Sequence, residues 1–170
     1  TNVGRHVMRA AADNLVPVTL ELGGKSPVVI GKSADLAKTA ARVMQGKTMN
    51  AGQICLAPDY VLAPSESVPA FVEASKAAVA KMYPTMKDNA DYTSIINQRH
   101  YDRISGLIAD AKAKGGEIVT INPANEDFTQ QEHRKIPPTI ILNATDDMQV
   151  MQEEIFGPLL PVRTVASIDG

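Results

Sequence analysis

A layered α/β fold is predicted for this 170-residue chain by two features. Short apolar or β-branched runs, bounded by Gly or Pro, alternate with stretches whose apolar residues recur every three or four positions. No internal repeat interrupts that alternation, a pattern that favours helices packed on a sheet over an all-helical or all-strand fold. With 44% of its residues hydrophobic, the chain can bury one sizeable core.

The elements follow in order. Gly4 to Ala12 is rich in good helix formers and predicts a short helix. Val16 to Leu22, β-branched at Val16, Val18 and Thr19, predicts a strand that Gly23-Gly24 ends. Pro27 to Ile30 predicts a second, buried strand. Asp35 or Ser33 can cap a helix to about Thr48, with Leu36, Ala40, Val43, Met44 and Lys47 on one face. Asn50 to Gln53 breaks that helix, and Asp59 to Ala63 predicts a strand closed by Pro64. Ser67, with Pro69 in the first turn, predicts the start of a helix to about Met82. The clearest helix carries Tyr101, Ile104, Leu107, Ile108 and Ala111 at a 3.6-residue period and stops at Gly115-Gly116. Glu117 to Ile121 predicts a short strand, Asn122 to Lys135 a polar loop, Ile136 to Leu142 a strand with its prolines at the start, and Leu159 to Val165 the last strand.

Bulk properties narrow the function. A net charge of -2 and a pI near 5.9 offer no basic excess to meet phosphates, which argues against nucleic-acid or membrane-surface binding. One cysteine cannot form an internal disulfide, and no apolar run approaches the roughly 20 residues of a membrane span. A soluble, intracellular α/β domain is the expectation, with a cytoplasmic location. His6, His100 and His133 have no metal-ligand spacing, and a lone cysteine makes no zinc cluster, so no metal site is expected.

The candidate chemistry rests on Cys55 and Glu21. Cys55 follows Gly52 in a helix-to-strand connection, where backbone N–H groups can face a developing oxyanion. An inert, buried small residue is the competing reading. Glu21 lies in an apolar run, Val18 to Leu22, where a carboxylate is badly placed unless paired or functional. Apolar surroundings raise a carboxyl pKa, which suits a general base near neutral pH; an outward-facing strand residue is the alternative. Gly23-Gly24 is either a plain turn or a place where a ligand approaches the backbone. Gln152 to Pro158 combines paired acids, an aromatic residue and a Gly-Pro turn, and is otherwise an ordinary solvated loop.

Together these segments resemble the NAD(P)-dependent aldehyde dehydrogenase superfamily. Leu20 to Pro27, L-E-L-G-G-K-S-P, is similar to its glutamate signature; Asn50 to Cys55, N-A-G-Q-I-C, to its cysteine signature; and Glu153 to Pro158, E-E-I-F-G-P, to its cofactor-side motif. The continuation Cys-Leu-Ala-Pro-Asp-Tyr-Val looks closest to the branch that holds fatty, aromatic and coniferyl aldehyde dehydrogenases. The resemblance implies a layered α/β/α catalytic domain over residues 23–170, with residues 1–22 left from the dinucleotide-binding domain. It implies that Cys55 attacks a small-molecule aldehyde and that Glu21 activates the water that frees the acid. The oxyanion would be held by the Cys55 N–H and by a side-chain amide from upstream. The cofactor would be NAD or NADP: Glu154 would bind the nicotinamide ribose, Phe156 would pack near the nicotinamide, and Leu22 and Gly23 would border the ring. The parent enzyme would be a homo-oligomer. A CoA-acylating relative and a non-catalytic interaction domain are the rival readings; the Glu at position 21 favours hydrolysis over CoA transfer.

Both ends read as cut, at Thr1 to Gly4 and at Ser167 to Gly170. The resemblance then implies that half of the oxyanion site and most of the cofactor site are missing. We expect the 170-residue piece alone to bind NAD(P) weakly and to turn over no aldehyde; robust aldehyde-dependent NADH production by it would overturn this.

Overall fold

The computed structural model describes residues 2–166, apart from the side chain of Asn2; Thr1 and the 167–170 end lie outside the described residues. Helix α1 spans Asn2–Asp13, strand β1 Ser26–Val29, helix α2 Leu36–Thr48, strand β2 Pro58–Pro64, helix α3 Val68–Met82 and helix α4 Gln98–Ala113. Strands β3 (Glu117–Thr120) and β4 (Thr139–Leu142), the single-turn helix α5 (Gln149–Gln152) and strand β5 (Leu159–Val165) complete the order.

The five strands form one sheet in the order β1-β2-β5-β4-β3. Strands β1, β2, β5 and β4 run parallel, and β3 joins β4 antiparallel at the edge. Strand period 2 sends neighbouring residues to opposite faces. Ile140 and Leu160 accordingly lie in one core with Met44 of α2 and Phe71 and Val79 of α3. Ile141 and Leu159 lie in a second core with Ile104, Leu107 and Ala111 of α4. Helices thus cover both faces of the sheet, the layered α/β/α arrangement expected.

Local chemistry sets the boundaries. Asp35 caps α2 by accepting from the Lys38 N–H at 3.1 Å, and Asn97 caps α4 by accepting from the His100 N–H at 3.0 Å. Gly115, at φ 87°, ends α4 in a conformation that glycine tolerates best, while the Gly116 N–H closes on the Ala111 carbonyl at 2.8 Å. Ser67 makes no side-chain cap; a 3-10 turn over Ser65–Ser67 leads into α3 instead.

The Val16 to Leu22 strand does not form. Residues 16–25 are irregular, and Val16, Val18 and Leu22 are exposed, so β-branching alone did not recruit a pairing partner. Glu21 is therefore not a strand residue. Two shorter features went unpredicted: α5, too brief to show a period, and a 3-10 turn over Met49–Gly52. The predicted Ile136 to Leu142 strand is confined to β4, because Pro137 and Pro138 lack ladder donors. Asn122 to Lys135 is loop, pinned by the Glu126 carboxylate, which accepts from the Met86 and Lys87 N–H groups at 2.6 and 3.1 Å.

We expect Asp35→Ala to cost about 1 kcal/mol through loss of the α2 cap. Urea denaturation should show this as a lower midpoint with an unchanged slope.

Candidate active site

Parallel pairing gathers the three motifs. Because β1, β2 and β5 are adjacent and run the same way, the segments that lead into them emerge at one edge of the sheet. Glu21 to Lys25 leads into β1, Gln53 to Ala57 into β2 and Glu153 to Pro158 into β5. This edge is the amino end of the strands, whereas open α/β sheets more often bind ligands at the carboxyl end.

Each motif touches the other two. The Ser26 hydroxyl donates to the Cys55 carbonyl at 3.5 Å. A Cβ added at Gly23 would lie 1.9 Å from Oε2 of Glu154. One added at Gly52, whose φ is +72°, would lie 2.3 Å from the Gly157 carbonyl oxygen. The two contacts differ in kind. A side chain at position 23 would displace the mobile end of Glu154, whereas one at position 52 would meet backbone and force the loops apart.

Cys55 is exposed, in a turn closed by the Ala57 N–H on the Ile54 carbonyl at 3.0 Å, so the inert buried thiol is not what forms. Glu21 and Leu22 are exposed too, and the apolar surroundings expected around Glu21 are not supplied by the described residues. Exposure leaves the carboxylate open to water. Glu154 is half-buried, and its Oε1 is buried without a hydrogen-bond partner. A carboxylate oxygen in that state, beside a glycine that leaves room, is suited to accept from a ligand hydroxyl. Phe156 is 41% exposed at φ 50°, and the Arg103 guanidinium holds the preceding Ile155 carbonyl at 2.6 Å. A cavity of about 250 Å³ separates Phe156 from the cysteine loop and is lined also by Asn50, Gln53, Ser94 and Ile96. Larger, more open hollows lie around His133 and share no residue with the three motifs.

Underneath lies a charged cluster that sequence reasoning missed. Asp59, 3% exposed, accepts from Lys25 Nζ at 2.5 Å and from the Ile155 N–H at 3.2 Å. Lys25 Nζ also donates to the Val150 and Glu153 carbonyls, both at 3.0 Å. One carboxylate therefore ties the glutamate motif to the third motif from within the strand that follows Cys55. Lys47 Nζ, fully buried, stands 3.7 Å from Asp59 Oδ1: close enough for an ion pair, too long for a hydrogen bond. A signal for both residues existed. Asp59 shares strand parity with buried Val61 and Ala63, and Lys47 lies on the apolar face of α2. Among the described residues, no group of three or more His, Cys, Asp or Glu is placed to hold a metal, and no helix is long and apolar enough to cross a membrane.

A thiol and two carboxylates thus stand on loops at one edge of the sheet, each leading into a parallel strand. The model of the aldehyde dehydrogenase family matches residues 1–170, and the chain belongs to that family. It is 67% identical over 169 residues to the "Probable coniferyl aldehyde dehydrogenase" of Caulobacter vibrioides and 59% identical to the coniferyl aldehyde dehydrogenase of Pseudomonas sp. strain HR199, covering 99% of this chain and 35% of each relative. The substrate-bound structure of Staphylococcus aureus AldH superposes with a TM-score of 0.86 at 38% identity, over 99% of this chain and 35% of that one. A betaine aldehyde dehydrogenase from the same organism, in complex with NAD+, superposes with a TM-score of 0.81 at 29% identity, over 98% and 33%. The chain thus spans about a third of the length of the relatives it matches.

Burial lowers the Lys47 pKa from 10.5 to about 8, with Asp59 opposing the shift and Lys25 adding to it. The unfolded chain therefore binds the extra proton between about pH 8 and 10.5, and stability rises with pH across that window. We expect wild type to gain up to about 3 kcal/mol relative to Lys47→Met between those limits. Urea titrations at stepped pH would read this, and parallel pH profiles would contradict it.

Proposed function

We propose that the protein containing this chain oxidises an aldehyde to its carboxylic acid, with Cys55 as nucleophile and Glu21 as the base of the hydrolytic step. The observation that carries this reading is the meeting of the three motifs: Ser26 on Cys55, Gly23 against Glu154 and Gly52 against Gly157. The identity to coniferyl aldehyde dehydrogenases supports an aromatic substrate such as coniferyl aldehyde.

Cys55 gives its thiol proton to solvent, its sulfur bonds to the carbonyl carbon and the C=O π pair moves onto oxygen, giving the thiohemiacetal in its oxyanion form. The Cys55 N–H steadies its oxyanion, together with an amide from outside this chain. NAD(P)+, when bound, supplies the acceptor for the hydride that this carbon gives up. Cys55 then carries a thioester. Glu21 takes a proton from water, the oxygen adds to the acyl carbon, the C–S bond breaks, and the acid departs as the sulfur is freed. Glu154 would accept from a hydroxyl of the nicotinamide ribose, Phe156 would pack near the nicotinamide, and the Leu22-Gly23 backbone would border it. The unpartnered Oε1 of Glu154 and the bare Gly23 beside it fit that role.

Residues 23–170 make up the catalytic domain in this reading, and residues 1–22 belong to the dinucleotide-binding domain. The exposed apolar residues Val7, Met8, Leu15 and Val16 support a segment that packs on more of such a domain. Family resemblance further supports a cytoplasmic homo-oligomer.

The test uses the full-length enzyme. Cys55→Ala should lose turnover by on the order of 10⁴-fold or more. Glu21→Gln should keep a rapid first burst of NADH while steady turnover falls by about 10² to 10⁴. Survival of both phases in Glu21→Gln removes Glu21 as the base, and a turnover-competent Cys55→Ala removes the covalent route. CoA-dependent rather than water-dependent release would favour the acylating relative.

A further inference from the structure

The backbone just before Cys55 is under strain. Asn50, Ala51 and Gly52 take φ values of 49°, 51° and 72°, three left-handed residues in succession, two of them with side chains. Each side-chain-bearing residue costs energy in that region, so something must hold the turn.

Gln53 is the residue that holds it. Its Nε2 donates to the Asn50 carbonyl at 3.0 Å and to the Ser94 carbonyl at 3.1 Å. Its Oε1 accepts from the Ile96 N–H at 3.0 Å. Its backbone N–H reaches the Asn50 carbonyl at 3.1 Å, and the Asn50 amide returns a bond to the Gln53 carbonyl at 3.2 Å. The side-chain amide therefore uses both donors and one acceptor position on three backbone groups, which no other side chain of similar size can match.

We infer that Gln53 is a positioning residue for Cys55: its amide locks the left-handed Asn50–Gly52 turn, ties it to the Ser94–Ile96 segment, and so fixes where the thiol stands. Gln53 lies two residues before the nucleophile and does not act on the substrate. The inference rests on the reading of Cys55 as the attacking group. The distant anchor matters, because the Ser94–Ile96 segment is itself held by the Arg134 carbonyl, which accepts from the Ile95 N–H at 3.1 Å, and by the cap of α4. The cysteine loop is thereby fastened to rigid structure that is distant in sequence.

Gln53→Glu isolates the donors: it keeps the shape and the acceptor but turns a carboxylate toward two carbonyls. In the full-length enzyme, kcat should fall about ten- to a hundredfold, the scale of misplacing a reacting group by an ångström. KM for aldehyde and cofactor should hold, and unfolding should stay cooperative with a modestly lower midpoint. Hydrogen exchange should show loss of protection at residues 49–57, with β2 and α3 unchanged. Gln53→Ala should fall as far as Gln53→Glu, because volume is not what matters. Unchanged kcat or intact protection in Gln53→Glu overturns the inference. Global loss of cooperative unfolding overturns it as well, since Gln53 would then be a determinant of the whole fold. Should wild type turn over no aldehyde, the reading of the activity fails, while the exchange result still decides whether the clamp exists.

Discussion

The buried carboxylate of Asp59 is what the rest of the site depends on. It meets Lys25, the Ile155 N–H and, at longer range, Lys47. These partners come from the loop before β1, the loop before β5 and the end of α2. Removing one partner from a buried pair costs about 3–5 kcal/mol, because the charge left behind has no water to replace it. No surface ion pair carries that penalty. The cluster therefore holds the three loops in register more firmly than contacts among the loops themselves.

The placement of the site explains why cations are needed there. Helix α2 ends at Thr48, close before the cysteine loop, and presents the carbonyl end of its dipole toward that region. Helix N-termini that serve phosphate sites are electropositive; this end is not. Lys47 in the last turn and Lys25 across the cluster offset it. Lys47 does so at a cost, fully buried and without a hydrogen bond.

Much of this was legible in the sequence, and what was not has physical causes. Helices α2 and α4 announced themselves through their apolar period, with a cap signal at Asp35 for α2 and a stop signal at Gly115 for α4. The Val16 to Leu22 run misled because β-branched residues describe a surface that fits a sheet, and only a neighbouring strand makes one. The short signatures around Glu21, Cys55 and Glu154 lie together because each is a loop that leads into one of three adjacent parallel strands. Asp59, Lys25, Lys47 and Gln53 stayed hidden for a different reason. Strand parity and helix face could mark Asp59 and Lys47 as buried, but the partners that Lys25, Asp59 and Gln53 meet on other loops lie 34 or more residues away, and a single sequence carries no record of who meets whom.

The order of the sheet has a consequence for how such chains diverge. Each motif leads into its own strand, and whole helices or long loops lie between one motif and the next. Those intervening stretches can lengthen, shorten or change composition while the three leading loops stay in place. The approach of Gly52 to the Gly157 carbonyl has no such freedom: a side chain at position 52 would meet backbone, whereas one at position 157 would meet only the side chain of Ile104. Distances counted along the chain are therefore poor markers of this chemistry. The more durable mark is a glycine set against the backbone of a second loop.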